Sequence, residues 1–174
     1  MGRVSTRQNK NIYQRTREEL GLTRERAEEL LESVTAERIE KIENEKSLPY
    51  PDEVLQMAEK YKTPILCNYY CANQCPIGQQ YVPEVKSKDL SQIILELLAS
   101  LNAVSKQKDR LIEITADGEI ADDQIEDFVH IQEELERISV TVETLQLWSE
   151  RMLATGAINC EQYETCKARR TNHT

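Results

Sequence analysis

The sequence predicts an all-helical protein, and two observations indicate this fold class. Glycine and proline occur only five times each in 174 residues, and Leu, Glu, Ile, Lys and Ala, most of which favour helices, dominate the composition. Apolar residues also recur every three or four positions along most of the chain, which is the spacing of a buried helix face. The spacing further divides the chain into a head of short helices and a pair of long ones.

Five short helices are predicted within residues 1–75, and each has a recognisable start or stop. Thr23 and Thr35 suit N-caps, and Gly21 suits the left-handed end of the first helix. Pro49 ends the third helix, and Pro64 opens the fifth. The predicted inward positions are Ile12, Thr16, Leu20, Ala27, Leu30, Leu31, Val34, Ile39, Ile42, Val54, Leu55 and Ala58.

A linker and a long helical hairpin are predicted after the head. Residues 76–87 contain two prolines and one glycine, which is typical of a linker. Residues 88–156 predict two helices, each about 40 Å long, that an Asp-Gly turn and a capping-box pattern at Asp123 and Glu126 fold back antiparallel. Residues 157–174 predict a short helix and a basic tail. The predicted heptad seam comprises Leu90, Ile94, Leu97, Leu101, Val104 and Leu111, facing Phe128, Ile131, Leu135, Ile138, Val142, Leu145 and Met152.

The net charge and the cysteines limit the function and the location that the sequence predicts. With 22 basic and 31 acidic residues, the net charge of −9 excludes a protein that coats nucleic acid over its whole surface. Residues 1–26 nevertheless hold seven basic and three acidic side chains, so only this end attracts phosphate. The chain has no apolar run of membrane-spanning length and no signal-peptide pattern, which predicts no membrane partner and a cytoplasmic location. Its five cysteines are then expected to be thiols.

One segment of the head resembles a known family. Arg17, then "GLT" at 21–23, then a helix, then "VTAERIEKIENEKSLP" follow the order and spacing of the phage-repressor-like helix-turn-helix family, also called XRE or Cro-like. The resemblance covers about residues 10–70. It implies a compact five-helix domain whose second helix lies over the DNA backbone and whose third enters the major groove. It also implies a structural ion pair between Arg17 and Glu43. The matching third-helix positions are Val34, Thr35, Ile39, Ile42, Glu43, Lys46 and Pro49.

The resemblance implies a sequence-specific DNA-binding transcription regulator with double-stranded DNA as its partner. Arg24 would contact phosphate, the start of the third helix would face base edges, and two lysines would reach the backbone. The sequence departs from the family at Glu28, at Glu45 and in the longer turn "ESV". The alternative is therefore an interaction adaptor without strong DNA binding, for which the third helix would present an acidic or apolar face in place of a basic stripe. The candidate DNA-binding residues are Arg3, Arg7, Arg24, Thr35, Ala36, Glu37, Glu40, Lys41 and Lys46.

The sequence contains no strong signal for a cofactor or for catalysis. Cys67, Cys71 and Cys75 recur every four residues, but in a helix the outer two stand about 12 Å apart and cannot share one tetrahedral ion. Cys71 and Cys75 remain weak candidates for a redox or metal pair, and small buried residues are the other interpretation. Residues 113–124 resemble a calcium loop, but Gln124 stands where the bidentate carboxylate is needed. No nucleophile and base are paired, so an enzyme is not expected.

The hairpin predicts a homodimer. Ile93, Leu98, Ile112 and Trp148 lie outside the heptad seam, and a second hairpin would cover them in a four-helix bundle. The alternative is that the hairpin folds back on its own head, with Trp148 packed against the first or fifth helix.

Overall fold

The computed structural model describes residues 10–116 and 118–171, which form ten α-helices and no β-strand. The predicted all-helical class is confirmed. Two compact units are formed, one by residues up to 84 together with those from 150 onward, and the other by residues 85–149. In the described part of the chain, no helix is both long and apolar enough to cross a membrane. The helices are α1 (Ile12–Glu19), α2 (Arg24–Leu31), α3 (Ala36–Glu43), α4 (Pro51–Lys60), α5 (Ile65–Asn73), α6 (Gly78–Tyr81), α7 (Leu90–Lys106), α8 (Lys108–Thr115), α9 (Ile125–Ala154) and α10 (Cys160–Thr171).

Local capping sets the starts of the first three helices. The side chain of Asn11 accepts a hydrogen bond from the backbone of Gln14 at 3.0 Å, which opens α1. Thr23 and Thr35 open α2 and α3 in the same way, as predicted, each accepting a backbone N–H at 3.2 Å. Gly21 follows α1 with φ of +68° and ends this helix, because only glycine adopts this angle at little cost.

The core of the head differs in part from the predicted one. Leu20, Leu30 and Leu55 are exposed, although their spacing predicts burial. Helices of eight to ten residues fit more than one apolar stripe, and tertiary packing selects the face that also buries Tyr13 and Tyr61. The buried apolar residues are Tyr13, Ala27, Leu31, Val34, Ile39, Ile42, Val54, Met57, Ala58, Tyr61 and Leu66.

Most of the predicted linker belongs to the same unit as the head. Its residues 78–81 form α6, which packs on α5 so closely that a Cβ on Gly78 would stand 2.1 Å from the carbonyl oxygen of Cys71. The Nδ2 of Asn68 donates to the carbonyl of Pro83 at 3.0 Å. The linker prediction for 76–87 is therefore wrong for residues up to 84, because glycine here permits close packing and not a flexible turn.

Residues 85–149 fold as an antiparallel hairpin, as predicted. Arg110 of α8 bonds Asp127 at the start of α9 at 2.6 Å, and residues 96–100 of α7 face residues 133–141 of α9. The first arm is broken, however, because the helix stops at Gln107 and restarts as α8. The 17 residues of α7 span about 25 Å, which is shorter than the predicted arm.

The hairpin buries a stripe that differs in part from the predicted seam, since Ile131 is a predicted seam residue and Ile93 and Ile114 are not. Ile93, Ile114 and Ile131 are its fully buried apolar residues. The half-buried seam positions are Leu97, Val104, Leu111, Phe128, Ile138, Leu145 and Met152. Five predicted seam residues are exposed, namely Leu90, Ile94, Leu101, Leu135 and Val142. The buried stripe is rotated toward Ile93, so both α7 and α9 carry more apolar surface than their mutual contact covers.

Candidate nucleic-acid interface

The two helices of the candidate interface are joined by a strained turn. Residues 32–35 separate α2 from α3, and Glu32 adopts φ of +59° and ψ of −43°. The backbone N–H of Ser33 donates to the carbonyl of Leu31 at 2.5 Å, which closes a three-residue turn that is rare for residues other than glycine. Val34, 1 % exposed, fixes the turn to the core. The extra residue in "ESV" is thus accommodated by a left-handed backbone.

The ion pair implied by the family resemblance is present. Arg17 donates to Glu43 through Nε at 2.5 Å and through Nη2 at 2.9 Å, and its Nη1 donates to the carbonyl of Leu22. Both side chains are buried. Burial opposes the charge of Arg17, but the hydrogen bonds and charge of Glu43 outweigh it and raise the pKa of Arg17 above its ordinary value. The pair ties α1 to the end of α3.

Arg24, the predicted phosphate contact, is bound to carboxylates. Its Nε donates to Oε2 of Glu43 at 2.8 Å, and its Nη1 lies 4.0 Å from Oε2 of Glu40. The side chain is 30 % exposed, so its outer nitrogens still reach the surface. A phosphate would therefore compete with Glu43 and Glu40 for this guanidinium, and the phosphate contact stays a prediction.

The predicted base-facing residues lie together at the surface of α3. Glu37 is exposed, and Ala36 and Glu40 are half-buried beside it. The hydrogen bond from Lys41, at 2.7 Å, lowers the pKa of Glu37, so this carboxylate is charged at neutral pH. Thr35 is exposed, and its hydroxyl oxygen is engaged as the cap of α3.

The charges around α3 do not form a basic stripe among the described residues. Lys41 is paired with Glu37, and Arg24 is paired with Glu43. Lys46 is exposed and forms no ion pair with any other residue in the described ranges. Arg3 and Arg7, the candidates in the N-terminal arm, lie outside the described residues.

Arg38 is a structural residue of α3 that the sequence did not reveal. Its guanidinium bonds both carboxylate oxygens of Glu53 at 2.7 and 2.8 Å, the hydroxyl of Ser47 at 2.7 Å and the carbonyl of Leu48 at 2.9 Å. It also stacks over the ring of Tyr50, 4.8 Å from the centroid. Arg38 therefore fastens α3 to the start of α4. Its partner lies 15 residues away, a distance at which no helical spacing signals a contact.

A buried phenol lies near the ion pair. Tyr61 is 3 % exposed, and its hydroxyl has no hydrogen-bond partner within the described chain. Burial, followed by the charge of Glu43, raises the pKa of Tyr61 to about 12. Tyr13 by contrast donates its hydroxyl hydrogen to Oε1 of Gln74 at 2.9 Å. No pattern in the sequence distinguishes these two tyrosines.

Cys67 and Cys71 lie on α5, and Cys75 follows the end of this helix. Cys67, Cys71 and Cys75 are half-buried free thiols, and burial raises the pKa of Cys67. The described residues contain no group of three or more His, Cys, Asp or Glu side chains able to hold a metal ion, and the pair of Cys71 and Cys75 stays a weak candidate. Cys75 accepts a weak hydrogen bond from Gly78, whose backbone also contacts Cys71. The arrangement serves the packing of α5 on α6.

No family profile, curated protein or solved structure matches the chain. The resemblance to the helix-turn-helix family therefore depends only on the residues and geometry described above.

Proposed function

We propose that the protein is a sequence-specific DNA-binding transcription regulator that uses α3 as its reading helix. The observation that carries the proposal is the rigid attachment of α3 by Arg17 and Glu43 at one end and by Arg38 and Glu53 at its side. This attachment leaves the N-terminal surface of α3, with Glu37, exposed. A reading helix needs this combination of a fixed position and free side chains, because base-edge hydrogen bonds require accurate placement.

The charges predict modest, salt-dependent binding. The guanidinium of Arg24 must release the carboxylate of Glu43 before it can bind a phosphate. Lys46 provides a cation that no carboxylate of the described chain neutralises. Few phosphate contacts give a weak non-specific component, and each contact loses free energy as salt rises. Specificity then depends on Ala36, Glu37 and Glu40, of which the glutamates can accept hydrogen bonds from the cytosine amino group.

The test is selection of bound sites from a random DNA pool at low salt. We expect a preferred site, and we expect Lys46→Ala to weaken binding to all sequences alike while Glu37→Ala relaxes preference at one base pair. Arg26→Ala is the matched control, since Arg26 is 70 % exposed on α2 and pairs only with neighbouring Glu29 among the described residues. A folded protein that selects no site contradicts the regulator.

A second candidate is an interaction adaptor that keeps the fold without strong DNA binding. The specific observation that favours it is the pairing of Arg24 and Lys41 with carboxylates, which leaves the face of α3 without a basic stripe among the described residues. An adaptor predicts a basic protein partner for this face. Glu37→Lys would then weaken the partner complex, whereas in the regulator it would strengthen non-specific DNA binding.

The regulator is proposed to act as a homodimer, with the hairpin of residues 85–149 joining two copies. A two-fold dimer presents two reading helices to half-sites about 34 Å apart, or a multiple of this distance. The selected sites are then expected to contain inverted repeats.

A further inference from the structure

One side of the hairpin carries an exposed apolar stripe. Leu98 is 57 % exposed, and its neighbours one turn away on α7 are also leucine and isoleucine. The stripe continues on α9 through two residues seven positions apart. We call this surface the apolar face; it comprises Leu90, Ile94, Leu98, Leu101, Leu135 and Val142.

These residues lie on one side of the hairpin. On α7 they are rotated about the helix axis from Ile93 and Leu97, in the direction in which the helix winds. On α9 they are rotated in the same direction from Ile131 and Ile138. Because the two helices run antiparallel, equal displacements bring both sets to the same side. The opposite side carries a groove lined by Glu96, Ala99, Ser100, Glu136, Arg137 and Val140.

The burial pattern of α9 indicates that the apolar face is covered in the working protein. Thr141 and Thr144 are 6 % and 4 % exposed, whereas Val142 between them is 41 % exposed. The two buried hydroxyls are satisfied by bonds to backbone carbonyls one turn earlier. A helix that buries threonines and exposes valine and leucine gains stability only when a further surface covers the apolar side.

Charge identifies a second copy as the occupant. The hairpin segment 85–149 has 14 acidic and six basic residues, so two copies repel one another over most of their surface. The apolar face carries fewer charges, since Glu96 of α7 and Glu136 of α9 line the groove on the opposite side. Glu143, next to Val142 in the sequence, is an exposed carboxylate at the edge of the face. A basic partner would instead be drawn to the acidic sides. The exposed uncharged residues of the margin are Ser91, Asn102, Ser105, Gln132, Ser139 and Gln146.

The area is sufficient for a reversible dimer. The face is about 25 Å long, the length of α7, and two helices wide, which gives about 500 Å² for each copy before the polar margin is counted. Stable complexes bury about 800 Å² for each partner, so this contact lies at the small end of specific interfaces.

We propose that the apolar face binds the same face of a second copy about a two-fold axis, so that two hairpins form a four-helix bundle. The inference deepens the proposed function by naming the surface that joins the two copies, and it rests only on the pairing of hairpins, not on contact with DNA. In such a bundle Leu98 and Leu135 lie at the centre of the contact.

The test is sedimentation velocity of the full-length chain at micromolar concentrations. We expect the wild type to be a dimer, and Leu98→Glu and Leu135→Glu to weaken the dimer by about tenfold or more. Ala99→Glu is the matched control, because Ala99 is an exposed residue of the same helix that lines the groove on the opposite side. It is expected to leave the dimer intact. Circular dichroism checks that each variant keeps its helices.

Two results overturn the proposal. A wild-type chain that sediments as a monomer shows that a different partner or solvent covers the face. A dimer that Ala99→Glu dissociates, while Leu98→Glu and Leu135→Glu do not, shows that another surface joins the copies. Failure of the proposed function can be distinguished from failure of this inference. A dimer that selects no DNA site contradicts the regulator but still supports pairing through the apolar face.

Discussion

Glu43 accepts hydrogen bonds from both Arg17 and Arg24, so its loss and the loss of Arg17 have unequal costs. Glu43→Leu removes both carboxylate hydrogen bonds of buried Arg17 and leaves it only the looser carboxylate contact with Glu18, whose Oε1 lies 3.8 Å from its Nη2. We expect this change to lower the free energy of unfolding by about 3–5 kcal/mol. Arg17→Met is expected to cost less, because Arg24 still neutralises the carboxylate. The double variant is expected to be more stable than Glu43→Leu alone. Urea unfolding of the three variants measures these differences.

Strictly additive losses in this series would show that the charges are independent. The exposed pair of Arg26 and Glu29 serves as the control, since its side chains are 70 % and 64 % exposed. Its removal is expected to change stability by less than about 1 kcal/mol.

The unsatisfied hydroxyl of Tyr61 predicts that Tyr61→Phe does not destabilise the head and raises its stability by about 1 kcal/mol. Tyr13→Phe is the matched control and is expected to lose about 1 kcal/mol, because it removes the bond to Gln74. Thermal unfolding of both variants tests the contrast. Equal losses would indicate that the hydroxyl of Tyr61 is hydrogen-bonded in solution.

Tyr61 also predicts a pH dependence. Its pKa is raised from 10 to about 12 in the folded protein, so the folded state retains a proton that the unfolded state releases. This contribution to stability is present below pH 10 and is lost as the pH rises toward about 12. Tyr61→Phe is expected to reduce the decrease in the urea midpoint over this pH range. An unchanged decrease would show that other titrating groups cause it.

At the scale of the element, three helices of the head end in the same left-handed geometry with different residues. Gly21, Glu45 and Lys62 have φ of +68°, +58° and +54°, and in each case the next residue bonds back to a carbonyl five positions earlier. A residue with a Cβ pays about 1 kcal/mol for this angle. Glu45→Gly and Lys62→Gly are therefore expected to raise stability by about this amount.

Gly21→Ala is expected to lower stability by a similar amount through the backbone alone, since a Cβ there would meet no atom within 4 Å. Urea unfolding measures all three changes. A destabilising Glu45→Gly would show that the glutamate side chain contributes more than its backbone angle costs.

The sequence predicted the positions of the helices more accurately than it predicted which face of each helix is buried. The caps at Thr23 and Thr35 were predictable because capping depends on residues within one turn. The predicted seam includes the exposed residues Leu90, Ile94 and Leu101, because α7 is apolar around more of its circumference than one neighbour covers. The pair of Arg17 and Glu43 followed only from the family resemblance. The contact of Arg38 with distant Glu53 left no local pattern.

At the scale of the whole molecule, the charge predicts opposite effects of salt on the two proposed interactions. Two hairpins rich in acidic residues repel, so raising salt from about 50 to 200 mM is expected to strengthen the dimer. The same change is expected to weaken DNA binding by about tenfold or more if each head makes three phosphate contacts. Sedimentation and DNA-binding titrations on one sample measure both. A dimer weakened by salt would indicate an interface held by ion pairs.

The carboxylates of Glu37 and Glu40 on α3 have a kinetic consequence for a reader of DNA. In the proposed regulator they would oppose the approach of any duplex, and a hydrogen bond to cytosine would offset the repulsion only at the correct site. Random genomic sequence would therefore be held briefly. Because competing sites outnumber true ones by about a millionfold, short residence on wrong sequence frees each molecule sooner for the next encounter. Glu37→Gln would then lengthen residence on unrelated DNA and slow the search for the target.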